Sequence, residues 1–372
     1  MQFTVAAQSL LEGLNNVTRA LSARPSKPIL EGVLVEAMEE GFIQLTCTDG
    51  SLTIRTQIES DVQRDGQIVL PGKLFTELVR KLPGGMVSIT VNEKMVASIK
   101  CLSSRTTLTG MSPVEVPVMT ALETGSQIAM PQKNLKDMIS RVVFAIATDE
   151  SRQILTGCLL EVTPAEARLV ALDGFRLALQ KFLNAFELPE GTELLQAVIP
   201  GKVLSELSKI MGDSEDPITL TMDRTRLQAS FGKTQLSSVL LAGEYINYKQ
   251  ILPSDWQSRI KVRKSELADA IDRASLMARE GKNNLIRMHI DENALAITSN
   301  AEMGDVREEL EVALEGKGLD IAFNARYLSD VIRNIAEDEL CMRFNSNVSP
   351  CVICPAEGDQ YVYLVLPVRV FN

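Results

Sequence analysis

The sequence predicts an α+β fold of three tandem domains, each made of two halves in which a helix accompanies antiparallel strands. Two observations lead there. A unit of about 120 residues recurs three times with its helical and strand-like segments in the same order. The chain also has 372 residues, 45% of them apolar and 23% charged, which is more than one hydrophobic core organises at roughly 100–200 residues per domain.

The first unit opens with Leu10, Leu11, Leu14, Val17 and Leu21 at helical spacing, which predicts a helix over 7–24. Pro28 to Val35 and Leu45 to Gly50 read as strands, the second running into an Asp49-Gly50 turn. In the second unit Leu135, Met138, Ile139, Val142 and Val143 predict a helix over 132–144, followed by strands from Ile154 to Glu161 and from Leu169 into Asp173-Gly174. The third unit is fainter. Leu267, Ile271 and Ala274 fall in a helix over 264–279, and strands run from Leu285 to Ile290 and from Leu295 to Asn300. Asp49, Asp173 and Ser299 hold equivalent positions, 124 and 126 residues apart.

Each unit then repeats the theme. A strand enters a helix through Pro71-Gly72-Lys73, Pro200-Gly201-Lys202 or Asn324-Ala325-Arg326. The helices over 73–82, 202–211 and 325–336 are predicted to bury Leu74, Phe75, Leu78 and Leu82, then Val203, Leu204, Leu207 and Met211, then Leu328, Val331, Ile332 and Ile335. Alternating stretches such as Val87 to Val91 and Ile218 to Met222 supply antiparallel strands. Polar or Pro-containing connectors at 121–126 and 253–255 set the domains at 1–122, 123–253 and 254–372.

Lys and Arg total 38 against 48 Asp and Glu, a formal charge of −10, which argues against a protein that grips nucleic acid over its whole surface. That charge is unevenly placed: the six helical segments carry a net +7 and the rest of the chain −17. The excess comes from Arg19, Arg24, Lys73, Arg80, Lys81, Lys133, Lys136, Arg141, Lys202, Lys209, Arg326 and Arg333, whereas Lys264, Arg273 and Arg279 are offset by acids. Lys and Arg are good helix formers, but so is Glu, and its scarcity points these helices at a polyanion. Without a zinc-finger or RNA-binding signature, such contacts are sequence-independent, salt-sensitive and loose. An aromatic content of 5% leaves little for base stacking.

A single histidine, His289, rules out a multi-His metal site and most His-based catalysis. It sits in an alternating stretch and is read as structural or exposed. The six cysteines are dispersed, no signal-peptide pattern opens the chain, and no apolar run reaches the ~18–20 residues that span a bilayer, so a cytosolic chain with reduced thiols is expected. Cys351 and Cys354 have zinc-site spacing but no second pair or histidine, and are read as packing residues. Repeated Asp-Gly marks strand-end turns rather than acid/base pairs. No metal, cofactor or catalytic residue is expected.

Six stretches taken together resemble the bacterial DNA polymerase III beta subunits, the sliding clamps, over essentially the full length. They are Met1-Gln2-Phe3-Thr4-Val5, Arg24-Pro25-Ser26-Lys27-Pro28-Ile29-Leu30, Asp173-Gly174-Phe175-Arg176-Leu177-Ala178, Ile251-Leu252-Pro253, Phe323-Asn324-Ala325-Arg326-Tyr327-Leu328 and Leu366-Pro367-Val368-Arg369. The resemblance implies a non-enzymatic processivity factor whose three clamp domains form a head-to-tail homodimer closed into a ring. Helices would line the hole, duplex DNA would be encircled without sequence specificity, and the polymerase would be tethered so that rebinding is effectively intramolecular. The implied dimer interface uses Lys100, Arg105 and Leu108 on the first-domain side and Ile271, Leu276, Glu302, Glu308 and Glu309 on the third-domain side.

The resemblance also implies one peptide pocket per subunit, between the second and third domains, for the DNA polymerase III alpha subunit, the clamp loader, and other polymerases and repair proteins. Carried over by position, it comprises Arg152, Leu155, Leu172, Gly174, Phe175, Arg176, Leu177, Ile246, Ile251, Asn324, Tyr327, Val348, Val365, Leu366, Pro367, Val368 and Arg369. Phe175 stands where the family usually has His, Leu172 where it often has Thr and Ile246 where it often has Pro, and the chain runs on through Val370-Phe371-Asn372; a more apolar pocket is expected. The residues alone leave two rivals: an enzyme built on carboxylates such as Asp49 and Asp173, and a repeat scaffold that binds proteins without encircling DNA.

Overall fold

A computed structural model describes residues 1–22, 25–117, 121–122, 124–281 and 284–369 of the chain. The first repeat runs β1 (Gln2–Ala6), α1 (Ala7–Val17), β2 (Gly32–Met38), β3 (Phe42–Thr48), β4 (Leu52–Glu59), β5 (Asp61–Arg64), β6 (Gly66–Pro71), α2 (Gly72–Arg80), β7 (Met86–Val91), β8 (Val96–Cys101) and β9 (Ser104–Thr109). The second runs β10 (Ser126–Pro131), α3 (Gln132–Ser140), β11 (Gly157–Val162), β12 (Glu166–Leu172), β13 (Arg176–Leu183), β14 (Leu195–Pro200), α4 (Gly201–Ile210), β15 (Pro217–Met222), β16 (Arg226–Phe231) and β17 (Thr234–Val239). The third runs β18 (Ser258–Arg263), α5 (Lys264–Glu280), β19 (Leu285–Asp291), β20 (Ala294–Ala301), β21 (Gly304–Glu311), β22 (Ala313–Gly316), β23 (Leu319–Asn324), α6 (Ala325–Arg333), β24 (Glu339–Phe344), β25 (Cys351–Pro355) and β26 (Tyr361–Val365). The order is the same in all three, apart from a short strand that the second repeat lacks.

The chain forms two compact units, one of residues 1–133 and 205–240, the other of residues 134–204 and 241–372. In unit 1, an eight-stranded sheet of order β10-β15-β16-β17-β4-β3-β2-β6 joins half of the second repeat to half of the first. The joint is the antiparallel β4–β17 ladder, Leu52↔Ser238 through Thr56↔Thr234, with the Thr56 and Thr234 hydroxyls 2.9 Å apart. A cross-strand pair of this kind adds to a sheet what an i,i+4 pair adds to a helix. In unit 2, a nine-stranded sheet of order β14-β11-β12-β13-β26-β25-β24-β18-β22 joins the rest of the second repeat to the third through the β13–β26 ladder, Arg176↔Val365 through Gln180↔Tyr361. Unit 1 also holds the five-stranded sheet β5-β1-β7-β8-β9, and unit 2 the four-stranded sheet β21-β20-β19-β23.

Apolar residues at helical spacing put one face of each helix on a sheet. In unit 1, α1 buries Leu10, Leu14 and Val17 and packs on α2, β3 and β4; in unit 2, α5 buries Leu267, Ala270, Ile271 and Ala274 against β19, β20, β21 and α6. The glycines that open α2 and α4 have a shared cause. A Cβ on Gly72 would lie 3.0 Å from the Glu31 carbonyl oxygen, and one on Gly201 3.0 Å from that of Thr156. The third repeat has Ala325 there, and Asn324 caps α6 instead, its side chain accepting from the Arg326 N–H at 3.0 Å.

The structure shortens several predicted helices. Leu21 fits the spacing of α1, yet the chain passes through a short turn at 18–20 and is extended at Leu21; α3 ends at Ser140 and α6 at Arg333. The buried stripe of α2 is Phe75, Thr76 and Val79, and Leu74 lies exposed. Pro28–Glu31 form a helical turn before β2 rather than its first residues. Asp49 and Asp173 do make the expected turns: each Oδ1 accepts two backbone N–H groups, from Ser51 and Leu52 and from Phe175 and Arg176. Ser299 does not share this role; it lies within β20, which continues to Ala301, and its hydroxyl donates to the Leu285 carbonyl at 2.9 Å.

His289 is exposed on β19, with Nδ1 2.7 Å from Asp320 Oδ1. All six cysteines are buried and unpaired, and burial pushes the Cys47 and Cys158 thiols up. Among the described residues, no helix is long and apolar enough to cross a membrane.

Gly157 opens β11 where a Cβ would stand 2.6 Å from the Ile199 carbonyl oxygen of β14. A backbone neighbour cannot swing aside as a side chain does, so Gly157→Ala is expected to cost about 1–3 kcal/mol, read as a lower Tm; an unchanged Tm would show that β14 shifts freely.

Candidate functional site

The sequence-predicted pocket residues all lie in unit 2, and the structure brings many of them together around Arg176. The Asp173-Gly174 turn, with Gly174 at φ +92°, reverses the chain between β12 and β13 and delivers Arg176 as the first residue of β13. Its side chain is 9% exposed. It donates from Nε to Asp173 Oδ2 at 3.1 Å, from Nη1 to Asp330 Oδ2 at 2.5 Å and from Nη2 to the Phe144 carbonyl at 2.6 Å. The same group lies over the rings of Phe144 and Tyr327, 5.3 and 4.9 Å from their centroids, where a cation is attracted by the ring quadrupole. Phe175 stacks on Tyr327 at 5.6 Å and remains 56% exposed.

Beside Arg176 lies an apolar cluster supplied by alternate residues of neighbouring strands, as a period of two requires. Leu159 of β11, Val170 and Leu172 of β12, Leu177 and Leu179 of β13, Val198 of β14 and Leu364 of β26 form it, with Ala147, Leu155 and Tyr248. The segment 241–252 covers part of this face through Leu241, Tyr245, Ile246 and Leu252, and Leu366 packs on it as well. The end of the chain is held by backbone bonds: Leu366 N–H to the Phe175 carbonyl at 2.9 Å and Val368 N–H to that of Ala322 at 2.8 Å. Val365 is buried opposite Arg176, Pro367 is half-buried, and Arg369 is exposed. The remaining candidates sit at the surface. Arg152 lies at a kink in the 150–156 turn, Ile251 ends the turn 248–250, and Val348 is in the 345–350 loop between β24 and β25. Asn324 serves as the cap of α6.

Several of the helical cations are paired with acids. Arg19 pairs with Glu206 at 3.2 Å, Lys209 with the same carboxylate at 2.8 Å, Arg80 with Glu77 at 2.6 Å, Lys133 with Glu215 at 3.9 Å, Arg141 with Glu337 at 3.5 Å, and Arg333 with Asp272 at 3.0 Å. Burial works against the Glu206 charge, but hydrogen bonds from Lys209 and Arg19 hold its carboxyl below the usual range. Lys73, Lys81, Lys202 and Arg326 are exposed, and Lys136 is half-buried. Arg24 and the tail 370–372 lie outside the described residues.

The two end sheets present the candidate interface residues. Lys100 on β8 and Arg105 on β9 are exposed, while Leu108 on β9 is largely buried. Leu276 and Glu302 are exposed, Glu308 pairs with Arg273 at 2.7 Å, and Glu309 with Arg307 at 2.6 Å. Ile271 is a correction: it is fully buried under α5 and has no surface to offer a partner. Sequence reading missed Asp330, Phe144 and Tyr248. Asp330 carries a signal, four residues after Arg326 on one helix face, and Tyr248 lies between the candidates Ile246 and Ile251; Phe144 is joined to the site only by tertiary packing.

Residues 1–120, 129–247 and 249–369 match the families described as the N-terminal, central and C-terminal domains of the DNA polymerase III beta subunit. The beta sliding clamp of Staphylococcus aureus is 32% identical over 381 aligned residues, covering 100% of both chains. Two solved structures, the DNA polymerase sliding clamp of Bacillus subtilis and a putative DNA polymerase III beta subunit from Eubacterium rectale, superpose with TM-scores of 0.95 and 0.94 at 32% and 31% identity, each over 100% of both chains. With three clamp domains in sequence and antiparallel sheets that join one repeat to the next, the chain belongs to the bacterial DNA polymerase III beta-subunit family, the sliding clamps, which are non-catalytic processivity factors.

Proposed function

We infer that this chain is the processivity subunit of a bacterial DNA polymerase III. Two copies close into a ring around duplex DNA in the cytoplasm, slide without reading sequence, and hold the polymerase alpha subunit, the clamp loader and other partners through a peptide site on unit 2. The observation that carries this reading is the end-to-end match across all three clamp domains. A tethered polymerase rebinds its template at an effective concentration set by the tether rather than by solution, which is the whole of the rate advantage.

The proposed ring rests on a repeated joint. Within the chain, the last strand of one repeat pairs with the fourth strand of the repeat before it twice, as β17 with β4 and as β26 with β13. By the same repeat, β9 is the equivalent of β17 and β26, and β21 the equivalent of β4 and β13, yet both are sheet edges in the single chain. Pairing β9 of one copy with β21 of another completes the pattern and removes two exposed edges. Lys100 and Arg105 on one side face an edge rich in glutamate on the other, which favours this pairing over like with like. The proposed domains are 1–122, 123–253 and 254–372.

The helical cations suit weak contact with phosphates. Pairing with acids reduces their net pull, and a protein retained by topology needs only enough attraction to stay centred while it moves. For the peptide site, the support is a preformed apolar face with Arg176, Phe175 and Tyr327 at its border, the composition from which hot spots are made.

Three outcomes test this. In solution the chain is expected to run at about twice its 40.9 kDa mass, and a stable monomer at micromolar concentration would contradict the ring. After loading onto nicked circular DNA by the cognate ATP-driven loader, the protein should remain on the circle at high salt and depart once the circle is cut; retention on the linear product would disprove topological linkage. Phe175→Ala should weaken binding to the immobilised alpha subunit roughly ten- to thirtyfold with Tm and dimer mass unchanged. Phe175 is the better probe than Leu177, whose buried side chain leaves on truncation a cavity costing about 2–5 kcal/mol.

A further inference from the structure

At one edge of the apolar face in unit 2, the pattern turns polar. Glu161 lies on the same side of β11 as Leu159, yet it is a carboxylate 3% exposed. It stands directly between Gln196 of β14 and Arg168 of β12 in the sheet register. Gln196 Nε2 donates to Glu161 Oε1 at 2.8 Å, and the Arg168 guanidinium is 4.0 Å from Oε2. From above, the Tyr248 hydroxyl donates to Oε2 at 2.5 Å, and Lys249 Nζ is 3.5 Å from Oε1.

Tyr248 is itself the pivot of the covering segment. Its N–H bonds to the Ile246 carbonyl at 2.7 Å, and its own carbonyl accepts from Ile251 at 3.0 Å and Leu252 at 3.2 Å. Its ring is 3% exposed within the apolar cluster. Burial, followed by the adjacent Glu161, pushes its hydroxyl up to about 12, so it stays a donor at neutral pH. Gly243, at φ +125°, interrupts the covering segment; Leu241 N–H bonds to the Val198 carbonyl at 2.9 Å, and the Tyr245 hydroxyl makes two long contacts of 3.4 Å.

We propose that Glu161 is a positioning residue for the partner-peptide site: by anchoring the Tyr248 hydroxyl it fixes the segment that carries Ile246 and Ile251 and so sets that wall of the site. The inference rests on the peptide-site reading and extends it to a residue that no peptide would touch. A wall held in place before binding spares the ordering cost of the encounter, so its loss weakens the complex, and among variants of one interface such losses fall mostly in koff.

The test measures binding of the dimeric clamp to its immobilised cognate DNA polymerase III alpha subunit by surface plasmon resonance, with Tm recorded for each variant. Tyr248→Phe, which removes one oxygen and keeps the ring, and Glu161→Ala are each expected to weaken binding about tenfold, chiefly through koff. Glu161→Gln should stay within about twofold of the original, because its amide oxygen still accepts from Tyr248 while Gln196 turns to offer its own oxygen. Ile290→Val, a core change in the four-stranded sheet of the same unit, serves as the comparator for general destabilisation and should leave binding unchanged. Tyr248→Phe and Glu161→Ala binding like the original chain, or Ile290→Val losing affinity in step with its Tm, would overturn the proposal. Failure of the original chain to bind the alpha subunit would instead overturn the peptide site itself, and this inference with it.

Discussion

The end of unit 2 that carries the candidate site is organised around one buried charge, the guanidinium of Arg176. Taking such a group out of water costs several kcal/mol in real proteins, and the return comes only when its donors are met. Here they are met by three unrelated pieces of chain: the Asp173 turn, the carbonyl of Phe144 after α3, and Asp330 on α6. The second repeat is thus bound to the third by a charge as well as by the β13–β26 ladder. Removing Arg176 would leave Asp173 and Asp330 facing each other's charge half-buried, a penalty of about 3–5 kcal/mol by the usual measure of a broken buried pair. The rest of the site depends on that fixed point: Phe175 is stacked where it is because Tyr327 is already held against the guanidinium.

Sheet joints and charge joints do different work. The ladders set register, since a slip by one residue would turn Leu177 and Leu179 out of the apolar face. Ion pairs between exposed groups, such as Arg307 with Glu309 or Arg80 with Glu77, contribute little to stability, at about 0–1 kcal/mol each. Their larger effect is on the field: Glu215 and Glu337, outside the helical segments, reach Lys133 and Arg141 and lower the attraction a polyanion would feel.

How much of this was legible in the sequence follows from what each feature depends on. The repeat and its helices depend on local spacing, so α1 to α6 were visible, and errors fell at their ends, where Leu21 continues the apolar period after the backbone has left the helix. The same spacing does not tell a side chain facing a domain core from one facing a partner, and neither does resemblance: Ile271, on the apolar side of α5, is buried within unit 2. Asp-Gly was a reliable turn signal because its chemistry spans four residues. Ser299 was not, because hairpin length is set by the partner strand β21. The candidate site was reached through resemblance to a family, and the parts that resemblance did not supply join residues far apart in sequence: Arg176 to Asp330, Glu161 to Tyr248, Lys133 to Glu215, Arg141 to Glu337. No periodicity connects such pairs.

The two repeat-to-repeat ladders are made inside one chain, where the tether keeps each pair of edges at millimolar effective concentration or above. If the ring closes by the same kind of ladder between β9 and β21, no covalent tether spans those two seams and the first of them must be made from solution. Three joints of one architecture would then differ in a single respect, and dilution would act on the intermolecular seams alone, parting the protomers while every internal sheet stayed whole.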